Sequence, residues 1–600
     1  MAAAALTLVP LAFADVHYKV SVLPDAGMLH ISMHLTGTNR GSQFQMPNWA
    51  PGAYFLNENF KAVKNLKALD ADGNPLDIAQ EIVSIKKTYR DGLADKVFEI
   101  PVCTWKVKPT KSLTVEYDIA QKPVDGAVHW GGPTTYLYET GHRLEKCVLE
   151  LQLPQGWTPY LGLTETKPGS NVFTAKTYDV LADNPVSTGE LTVDHYESRG
   201  KTHWIVMRGA ARTKVDRVNL LNACKFVSDT ETDFFGASAP YDKYVWHFAV
   251  MDSPDGAGGL EHLSSTQISL AAGVGPRAKS VLAHEFFHLW NVKRIRSKPL
   301  GPFDYTKLPE TGALWWLEGV TDYYAFTLPH RYGGNDDASY FSTIASNLQI
   351  IRNNPAHKLV GPNEASLRVD EANGGRGNSN GYLMSYYNLG WLAGLCLDIE
   401  IRSATNGKKS LDDVEHALWE LCRNDKPGFE EDEIRRQTIR MGGPEMGAVY
   451  DRIVMKADGM AMEDTLAKVG LKVVVKPEQY VDLGIGFGGF PGATALVVNA
   501  VRASAEGKVQ VGDKILAVNG KALAGDNVRA MAADMTKVTK DVLAGTPIKL
   551  TIMRGDAKMD VEISPATLTR DIYSIAPEST ATEGQLKLRQ AWLAQKKARN

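Results

Sequence analysis

The chain has 600 residues, of which 44% are hydrophobic and 22% are charged, and its formal net charge is −3. This length is too great for one hydrophobic core, so we expect about three or four domains. The charge balance does not indicate a basic face, so we do not expect a nucleic-acid partner. No stretch approaches the roughly 18 uninterrupted apolar residues of a membrane-spanning helix, so we do not expect a membrane span.

The first 14 residues are small and apolar, and they end in Ala12-Phe13-Ala14 before Asp15. An A-x-A ending is typical of a signal-peptide cleavage site, although the basic segment that usually precedes it is missing. We therefore interpret residues 1–14 as a signal-peptide remnant and exclude them from the fold. The protein is then expected to be exported, either periplasmic or secreted.

Five cysteines are spread along the chain without any C-x-x-C pair, so they do not indicate a cysteine metal site. Burial in the core is the role expected for most of them. In an exported protein, Cys103 with Cys147, or Cys396 with Cys422, could instead form disulfides.

Residues 15–195 contain several short runs in which apolar and polar residues alternate. Turn signals such as Asp72-Gly73-Asn74-Pro75 separate these runs. A period of two with frequent turns predicts an N-terminal antiparallel β-sandwich.

Residues 196–468 begin with two strand-like runs, THWIVMRG and KYVWHFAVMD, which flank a segment of helical periodicity. A further helix is predicted to start at Gly275-Pro276, and the apolar run ALWWLEGVTDYYAFTL predicts another. From about 334 to 465 the pattern is mostly helical. We therefore predict a small mixed sheet followed by an α-helical half.

Residues 471–567 return to short strands around one helix near 526–542. They are predicted to form a separate small domain. Residues 568–600 are interpreted as a polar tail with a possible helix and no assigned task.

The segment Ser280 to Asn291 holds the strongest chemical motif, because His284, Glu285 and His288 form an H-E-x-x-H pattern. Two histidines four residues apart share one face of a helix and can both point at one Zn²⁺. The glutamate is then placed to activate a water. The alternative is an ordinary amphipathic helix with two partly buried histidines, so the flanking chain must decide.

A catalytic zinc site needs a third protein ligand, and Glu318 is the candidate. It lies 30 residues after His288 in a run that is apolar nearly all round, where a carboxylate is costly unless it is paired or bound to metal. Asp322 follows one helical turn later and could accept the spare N–H of a ligating histidine, His284 in the first instance.

The strings HEFFHLWNVKRIR and LWWLEGVTDYYAF together resemble the glycyl aminopeptidase family of gluzincin metallopeptidases. The resemblance extends to the layout and implies a multidomain α+β fold: an N-terminal antiparallel β-sandwich, a thermolysin-like catalytic domain of mixed sheet plus α-helices, and a C-terminal PDZ-like domain. It implies one Zn²⁺ per chain, bound by His284, His288 and Glu318, with Glu285 as general base. The implied activity is hydrolysis of N-terminal residues, glycine or alanine preferred, by a zinc-activated water.

The string GGLEH, from Gly258 to His262, resembles the G-x-M-E-N motif of related aminopeptidases. By that resemblance, Gly258 and Gly259 let a peptide backbone approach an edge strand, and Glu261 binds the free α-ammonium of the substrate. His262 departs from the motif, in which Asn is usual.

The string YNLG, from Tyr387 to Gly390, resembles the Y-E-K-G motif of the same relatives. The resemblance implies that Tyr387 donates a hydrogen bond to the oxyanion of the tetrahedral intermediate. The adjacent Tyr386 remains an alternative, since two positions of the motif differ here.

The stretch GIGF, from Gly484 to Phe487, followed by SAEGKVQVGDKILAVNG, resembles a PDZ domain. The GIGF backbone would then receive a peptide C-terminus, although a purely structural role is the alternative.

Peptides with a free N-terminus are the expected substrates. Two other functions stay open: a zinc endopeptidase with the same machinery, and a PDZ-bearing peptide-binding protein with a vestigial enzyme site. The presence of all three ligands and Glu285 argues against the second.

Overall fold

The computed structural model describes residues 15–38, 40–91, 94–236, 239–251, 257–369, 384–488, 495–525 and 528–594. The segment 1–14, interpreted above as a signal-peptide remnant, lies outside these residues. None of the helices in the described ranges has the length and hydropathy that a membrane crossing needs.

The N-terminal part of the chain is a β-rich domain, as predicted. Its strands are β1 (Val16–Leu23), β2 (Met28–Thr36), β3 (Ser42–Gln45), β4 (Lys64–Leu69), β5 (Pro75–Leu76), β6 (Ile78–Asp91), β7 (Ala94–Val107), β8 (Ser112–Ala120), β9 (Ala127–Trp130), β10 (Tyr138–Glu139), β11 (Cys147–Gln152), β12 (Val172–Ala175) and β13 (Val186–Gly189), and its helix is α1 (Tyr178–Ala182). They form a seven-stranded sheet, β12-β11-β1-β2-β8-β4-β5, a four-stranded sheet, β10-β3-β7-β6, and the pair β13-β9. Alternate residues of β2, including Leu29, Ile31 and Met33, are buried, as the period of two requires.

Two details of this domain differ from the sequence prediction. Strand β1 pairs with β11 in parallel, so the larger sheet is mixed and the prediction of a purely antiparallel sandwich is wrong. The reason is that β11 reaches β1 by a long connection, which permits a parallel pair, whereas alternation of apolar residues cannot report strand direction. In addition, the strand Thr192–Ser198, grouped with this domain above, pairs with Lys201–Arg208 of the following sheet.

The second part contains a mixed sheet built from β14 (Thr192–Ser198), β15 (Lys201–Arg208), β16 (Lys243–Met251), β17 (Ala257–Glu261) and β18 (Ser265–Ala271). Its order is β14-β15-β16-β18-β17. The β15-β16 and β16-β18 pairs are parallel, while β17 is antiparallel to β18 and lies at the edge. An edge strand leaves one row of backbone groups available to a further strand.

Helices surround this sheet and then form a helical region. They are α2 (Arg217–Phe235), α3 (Pro276–Phe287), α4 (Thr321–Arg331), α5 (Asp337–Arg352), α6 (Pro362–Leu367), α7 (Tyr386–Ala404), α8 (Leu411–Cys422), α9 (Glu433–Gly442), α10 (Met446–Met455) and α11 (Met462–Ala467). Short 3₁₀ turns lie at Asn59–Ala62, Gly132–Thr134, Ala210–Lys214, Lys298–Leu300, Pro355–Lys358 and Ala503–Ala505, and a π-helical segment at Trp315–Val320. The central helix α7 is buried along most of its length, because Leu, Ile, Trp and Ala occupy nearly all of its faces.

The C-terminal part has strands and one helix around its own small core. The elements are β19 (Leu471–Asp482), β20 (Ile485–Gly488), β21 (Leu496–Val501), β22 (Lys514–Val518), β23 (Lys521–Ala522), α12 (Val528–Thr539), β24 (Ile548–Arg554), β25 (Ala557–Ile563), β26 (Ala566–Pro577) and α13 (Glu583–Leu593). Apolar residues of β20 to β25 form a cluster separate from the main core. Strands β19 and β26 pair over their full length and connect this unit to the helical region.

The last helix returns to the main core, so residues 568–600 are more than the polar tail that their composition suggests. Trp592 is fully buried, and its indole Nε1 donates to the hydroxyl of Tyr323 at 2.9 Å. The Arg331 Nε donates to the carbonyl of Trp592 at 3.0 Å, and Arg402 donates to the carbonyl of Ala591 at 2.9 Å. The buried ring of Trp592 and these three hydrogen bonds therefore hold the C-terminal helix α13 against the helical region.

All five cysteines are buried and unpaired, as expected for core residues. The disulfide alternatives for Cys103 with Cys147 and for Cys396 with Cys422 are not formed in this structure.

Trp592→Ala is expected to lower the free energy of unfolding of the helical region by about 3–5 kcal/mol, because it removes a fully buried ring and leaves the Tyr323 hydroxyl without its donor. Urea denaturation followed by circular dichroism measures the change. Leu586→Ala, on the exposed side of the same helix (42% exposed), should stay within about 0.5 kcal/mol. Equal effects from both substitutions would contradict the docking of α13.

Candidate metal centre

Helix α3 presents the two histidines of the H-E-x-x-H motif. It starts at Pro276 with Gly275 as N-cap, which confirms the predicted start, and His288 forms its C-cap in right-handed helical geometry. His284 and His288 therefore lie one turn apart on the same face, and their Nε2 atoms are 2.8 Å apart. Other faces of this helix lie in the core, where Leu282, Ala283 and Phe286 are buried.

Glu318 comes to the same point from the π-helical segment Trp315–Val320, which continues directly into α4. Its Oε2 lies 3.5 Å from Nε2 of His284 and 3.2 Å from Nε2 of His288. The side chain of Glu318 is almost completely buried. These three residues form a cluster whose ligand atoms all lie within 4.8 Å of one another.

Hydrogen bonds at the far side of each imidazole fix its tautomer. Nδ1 of His284 lies 2.8 Å from the Asp322 carboxylate, and Nδ1 of His288 lies 2.7 Å from the carbonyl oxygen of Asn291. Both partners are acceptors, so both Nδ1 atoms donate, and in the neutral imidazoles both Nε2 atoms present lone pairs. Two lone pairs and a carboxylate oxygen of Glu318 thus face each other in a buried space, an arrangement that a cation stabilises.

The electrostatics of the cluster agree with its demand for positive charge. Burial opposes ionisation of Glu318, but His288 and His284 lower its pKa to about 2. Burial also opposes protonation of His284, but Asp322 and Glu318 raise its pKa well above the ordinary value.

Glu285 lies beside the cluster, and Gly259 leaves the space that its side chain occupies. Its carboxyl group is buried, burial raises its pKa to about 7, and no described residue donates to its Oε2. A Cβ at Gly259 would overlap the Glu285 carboxyl group, whereas a Cβ at Gly258 would meet nothing within 4 Å. The two glycines, singled out together for substrate approach, therefore differ: Gly259 makes room for Glu285, and Gly258 faces open space.

Glu261 ends the edge strand β17 and is also buried. Burial raises the pKa of Glu261, and none of the described residues donates to its Oε1. Gly52 of the N-terminal domain lies against this carboxylate, since a Cβ there would come within 2.5 Å of both of its oxygens.

Tyr387 lies in the first turn of α7, which Ser385 caps. Its ring centroid is 5.9 Å from that of His284, and its ring stacks on the buried Tyr386 at 4.8 Å. The ring of Tyr387, one of the two tyrosines considered, therefore lies beside the first histidine. Helix α7 can approach the π-helical segment of Glu318 closely because Gly390 and Gly319 meet where the two elements cross. A Cβ on Gly319 would lie 2.5 Å from the Cα of Gly390.

His262, which departs from the related motif, takes part in a buried network with the N-terminal domain. Its Nδ1 lies 3.1 Å from Asp183, and its Nε2 lies 2.9 Å from the amide of Gln267. Asp183 also accepts from Lys293 at 2.7 Å. Lys293 belongs to the same HEFFHLWNVKRIR string as the ligands, so this string also connects the two domains.

The site therefore includes residues to which the sequence analysis assigned no functional role, namely Asn291, Lys293, Asp183, Gly52 and the nearby Tyr54. Asn291 and Lys293 could have been proposed from the sequence, because they lie three and five residues after His288 in the string HEFFHLWNVKRIR. Asp183, Gly52 and Tyr54 belong to the N-terminal domain, and no local pattern connects them with the motif.

Two family models match parts of the chain. The family model for the M61 glycyl aminopeptidase matches residues 277–393, which include α3, Glu318 and Tyr387, and the model for the peptidase M61 N-terminal domain matches residues 17–190. No curated protein sequence matches the chain.

Two solved structures align with this chain, and the first of them shares its fold. An aminopeptidase N family protein from Idiomarina loihiensis superposes with a TM-score of 0.76 at 20% identity, covering 96% of this chain and all of that one. Yeast LTA4 hydrolase in complex with bestatin gives a TM-score of 0.44 at 11% identity, covering 75% of this chain and 69% of that one. The two family matches assign residues 17–190 and 277–393 to the M61 glycyl aminopeptidase family of peptidases.

Proposed function

We propose that this chain is a zinc-dependent aminopeptidase that removes the N-terminal residue of peptides, with glycine or alanine preferred in the first position. The observation that carries the proposal is the convergence of three buried ligand atoms beside the buried carboxyl group of Glu285. Membership of a peptidase family makes peptide-bond hydrolysis the expected use of such a site. The preference for small residues follows from the family resemblance.

The ligand set fits zinc. Two imidazole nitrogens and one carboxylate oxygen form a donor set used by catalytic zinc sites, and the fixed tautomers of His284 and His288 direct their lone pairs toward Glu318. One Zn²⁺ per chain would be held by these three residues, with Asp322 and Asn291 holding the imidazoles in place. Bound there, zinc would act as a Lewis acid that polarises the scissile carbonyl and favours ionisation of the attacking water.

Glu285 is the proton carrier of the proposed reaction. It follows His284 directly in the chain, and no described donor occupies its Oε2. In this role it accepts a proton from the attacking water and delivers that proton to the leaving amine. Gly259 supports the role by leaving space for the carboxyl group.

The edge strand β17 and Glu261 account for the choice of a free N-terminus. An extended peptide can pair with the exposed edge of β17, and Gly258 leaves room for it to approach. Glu261 at the end of that strand is a buried carboxylate, which needs an opposite charge. The α-ammonium of the first substrate residue supplies this charge and places the first peptide bond at the cluster.

Tyr387 is proposed as the donor to the oxyanion. Its position beside His284, at a ring separation of 5.9 Å, supports this role.

The small C-terminal unit is proposed to be a PDZ-like domain that receives a peptide C-terminus at Gly484–Phe487. Its separate core and its strands around one helix support this. Gly484 has a φ of +76°, and a side chain there would clash with Ser504, so this turn requires glycine.

Hydrolysis of free and N-acetylated glycyl, alanyl and leucyl amides, with and without a chelator, tests the proposed function. We expect turnover of the free glycyl and alanyl amides, a fall of about 10²-fold or more on acetylation, and loss of turnover in chelator that added zinc restores. Glu285→Gln should reduce turnover by about 10²–10⁴-fold while zinc remains bound. Turnover that persists without metal, or none in the zinc-loaded protein, would contradict the proposal.

Glu261→Gln separates an aminopeptidase from a zinc endopeptidase. We expect kcat/KM on free aminoacyl amides to fall about 30-fold or more, since the buried partner of the ammonium loses its charge. The rate at which an internal bond of an N-blocked peptide is cut should be the same in Glu261→Gln and in the unchanged protein. Glu310→Gln, at an exposed acid of the same domain, is the matched control. If free and blocked substrates are cut equally well and Glu261→Gln changes neither, the endopeptidase alternative holds.

A further inference from the structure

A loop of the N-terminal domain, residues 47–57, is fixed against the second domain beside the metal centre. The backbone N–H of Asn48 donates to the carbonyl of Tyr305 at 2.9 Å, and the indole of Trp49 donates to the carbonyl of Asp304 at 2.8 Å. The ring of Trp49 also packs edge-on against Phe303 at 5.7 Å. Backbone and side-chain contacts of Asn48 and Trp49 therefore anchor the start of the 47–57 loop against the second domain.

The tip of this loop touches the proposed amine anchor. Gly52 has a φ of +96°, and a Cβ at this position would lie 2.5 Å from both oxygens of Glu261. Glycine is therefore required twice, by the backbone conformation and by the carboxylate against it. The contact leaves no space for a side chain on this flank of Glu261.

Tyr54 follows in the same loop and lies near both Glu261 and Glu318. It is buried, it adopts a φ of +40°, and its ring stacks on Trp49 at 6.2 Å. Burial raises the pKa of Tyr54 above its ordinary value, and the nearby charges of Glu318 and Glu261 raise it further. A bulky residue in this backbone conformation is strained, so surrounding packing must hold it there.

The loop closes a narrow cleft over Glu261. The loop contributes Pro51, Gly52 and Tyr54 to its lining, and the second domain contributes Glu261, Val292, Lys293, Arg296, Leu300 and Phe303. The cavity volume is about 10 Å³, enough for roughly one water molecule.

We propose that Gly52 and Tyr54 close the subsite for the first residue of the substrate and restrict its side chain to a hydrogen atom or a methyl group. The N-terminal domain thus completes the site, and these two residues determine specificity. The inference rests on the proposed function in using Glu261 as the amine anchor. Phe303 and Val292 supply the apolar surface that a methyl group would contact.

Binding of Gly-Phe and Leu-Phe to the zinc-loaded full chain, measured by calorimetry in the Glu285→Gln background, tests this inference without turnover. With the native loop, Gly-Phe should bind at least about tenfold more tightly than Leu-Phe. Tyr54→Gly removes the ring and relieves the strained φ. The affinity for Leu-Phe should therefore rise, and the preference for Gly-Phe over Leu-Phe should fall about tenfold or more. Tyr54→Asn, which also tolerates positive φ, gives a second reading should the glycine variant unfold.

Two further variants sharpen the test. Gly52→Ala should weaken both dipeptides about tenfold or more, because the methyl group displaces Glu261. Phe55→Ala, at the next residue along but 42% exposed, should leave the preference unchanged.

An unchanged preference in both Tyr54 variants, or no binding of either dipeptide with the native loop, overturns the inference. The proposed function fails separately: a protein with Glu285 intact that shows the binding preference but no hydrolysis overturns the function and leaves the subsite standing.

Discussion

Three buried atoms with lone pairs face one another at 2.8 to 3.5 Å: Nε2 of His284, Nε2 of His288 and Oε2 of Glu318. Such a group repels itself unless positive charge lies between its members, and much of the surrounding structure maintains it. Asp322 and Asn291 hold the imidazoles in the tautomers that direct their lone pairs inward. The glycine crossing of Gly319 and Gly390 brings the helix of Tyr387 against the segment of Glu318.

The N-terminal domain is part of this arrangement rather than an appendage to it. Its Asp183 binds Lys293, which stands five residues after His288, and its Gly52 lies against the carboxylate of Glu261. Two buried acids, Glu261 and Glu285, therefore depend on glycines of different domains for their space. This dependence gives a physical reason for both domains to be present in one chain: the second carries the His284, His288 and Glu318 cluster, and the first packs against Glu261 beside it.

The sequence was most informative where chemistry is local. The spacing of His284 and His288 sets their common face, and Gly275-Pro276 sets the helix start, because both depend on a few neighbouring residues. Glu318 could be found because a carboxylate in an apolar helix demands a partner. The strand direction of β11, the docking of Trp592 and the contact of Gly52 with Glu261 could not be found this way. Each arises from contacts between residues far apart in the chain, which no local period records.

The central claim is that His284, His288 and Glu318 hold one zinc ion, and an X-ray anomalous difference map recorded on both sides of the zinc edge, from crystals of the zinc-loaded full chain, tests it most directly. The account predicts one strong peak per chain, at about 2.0–2.2 Å from Nε2 of each histidine and from an oxygen of Glu318. A fully zinc-loaded protein with no peak at this point, or with a peak that Glu318 does not contact, would contradict it.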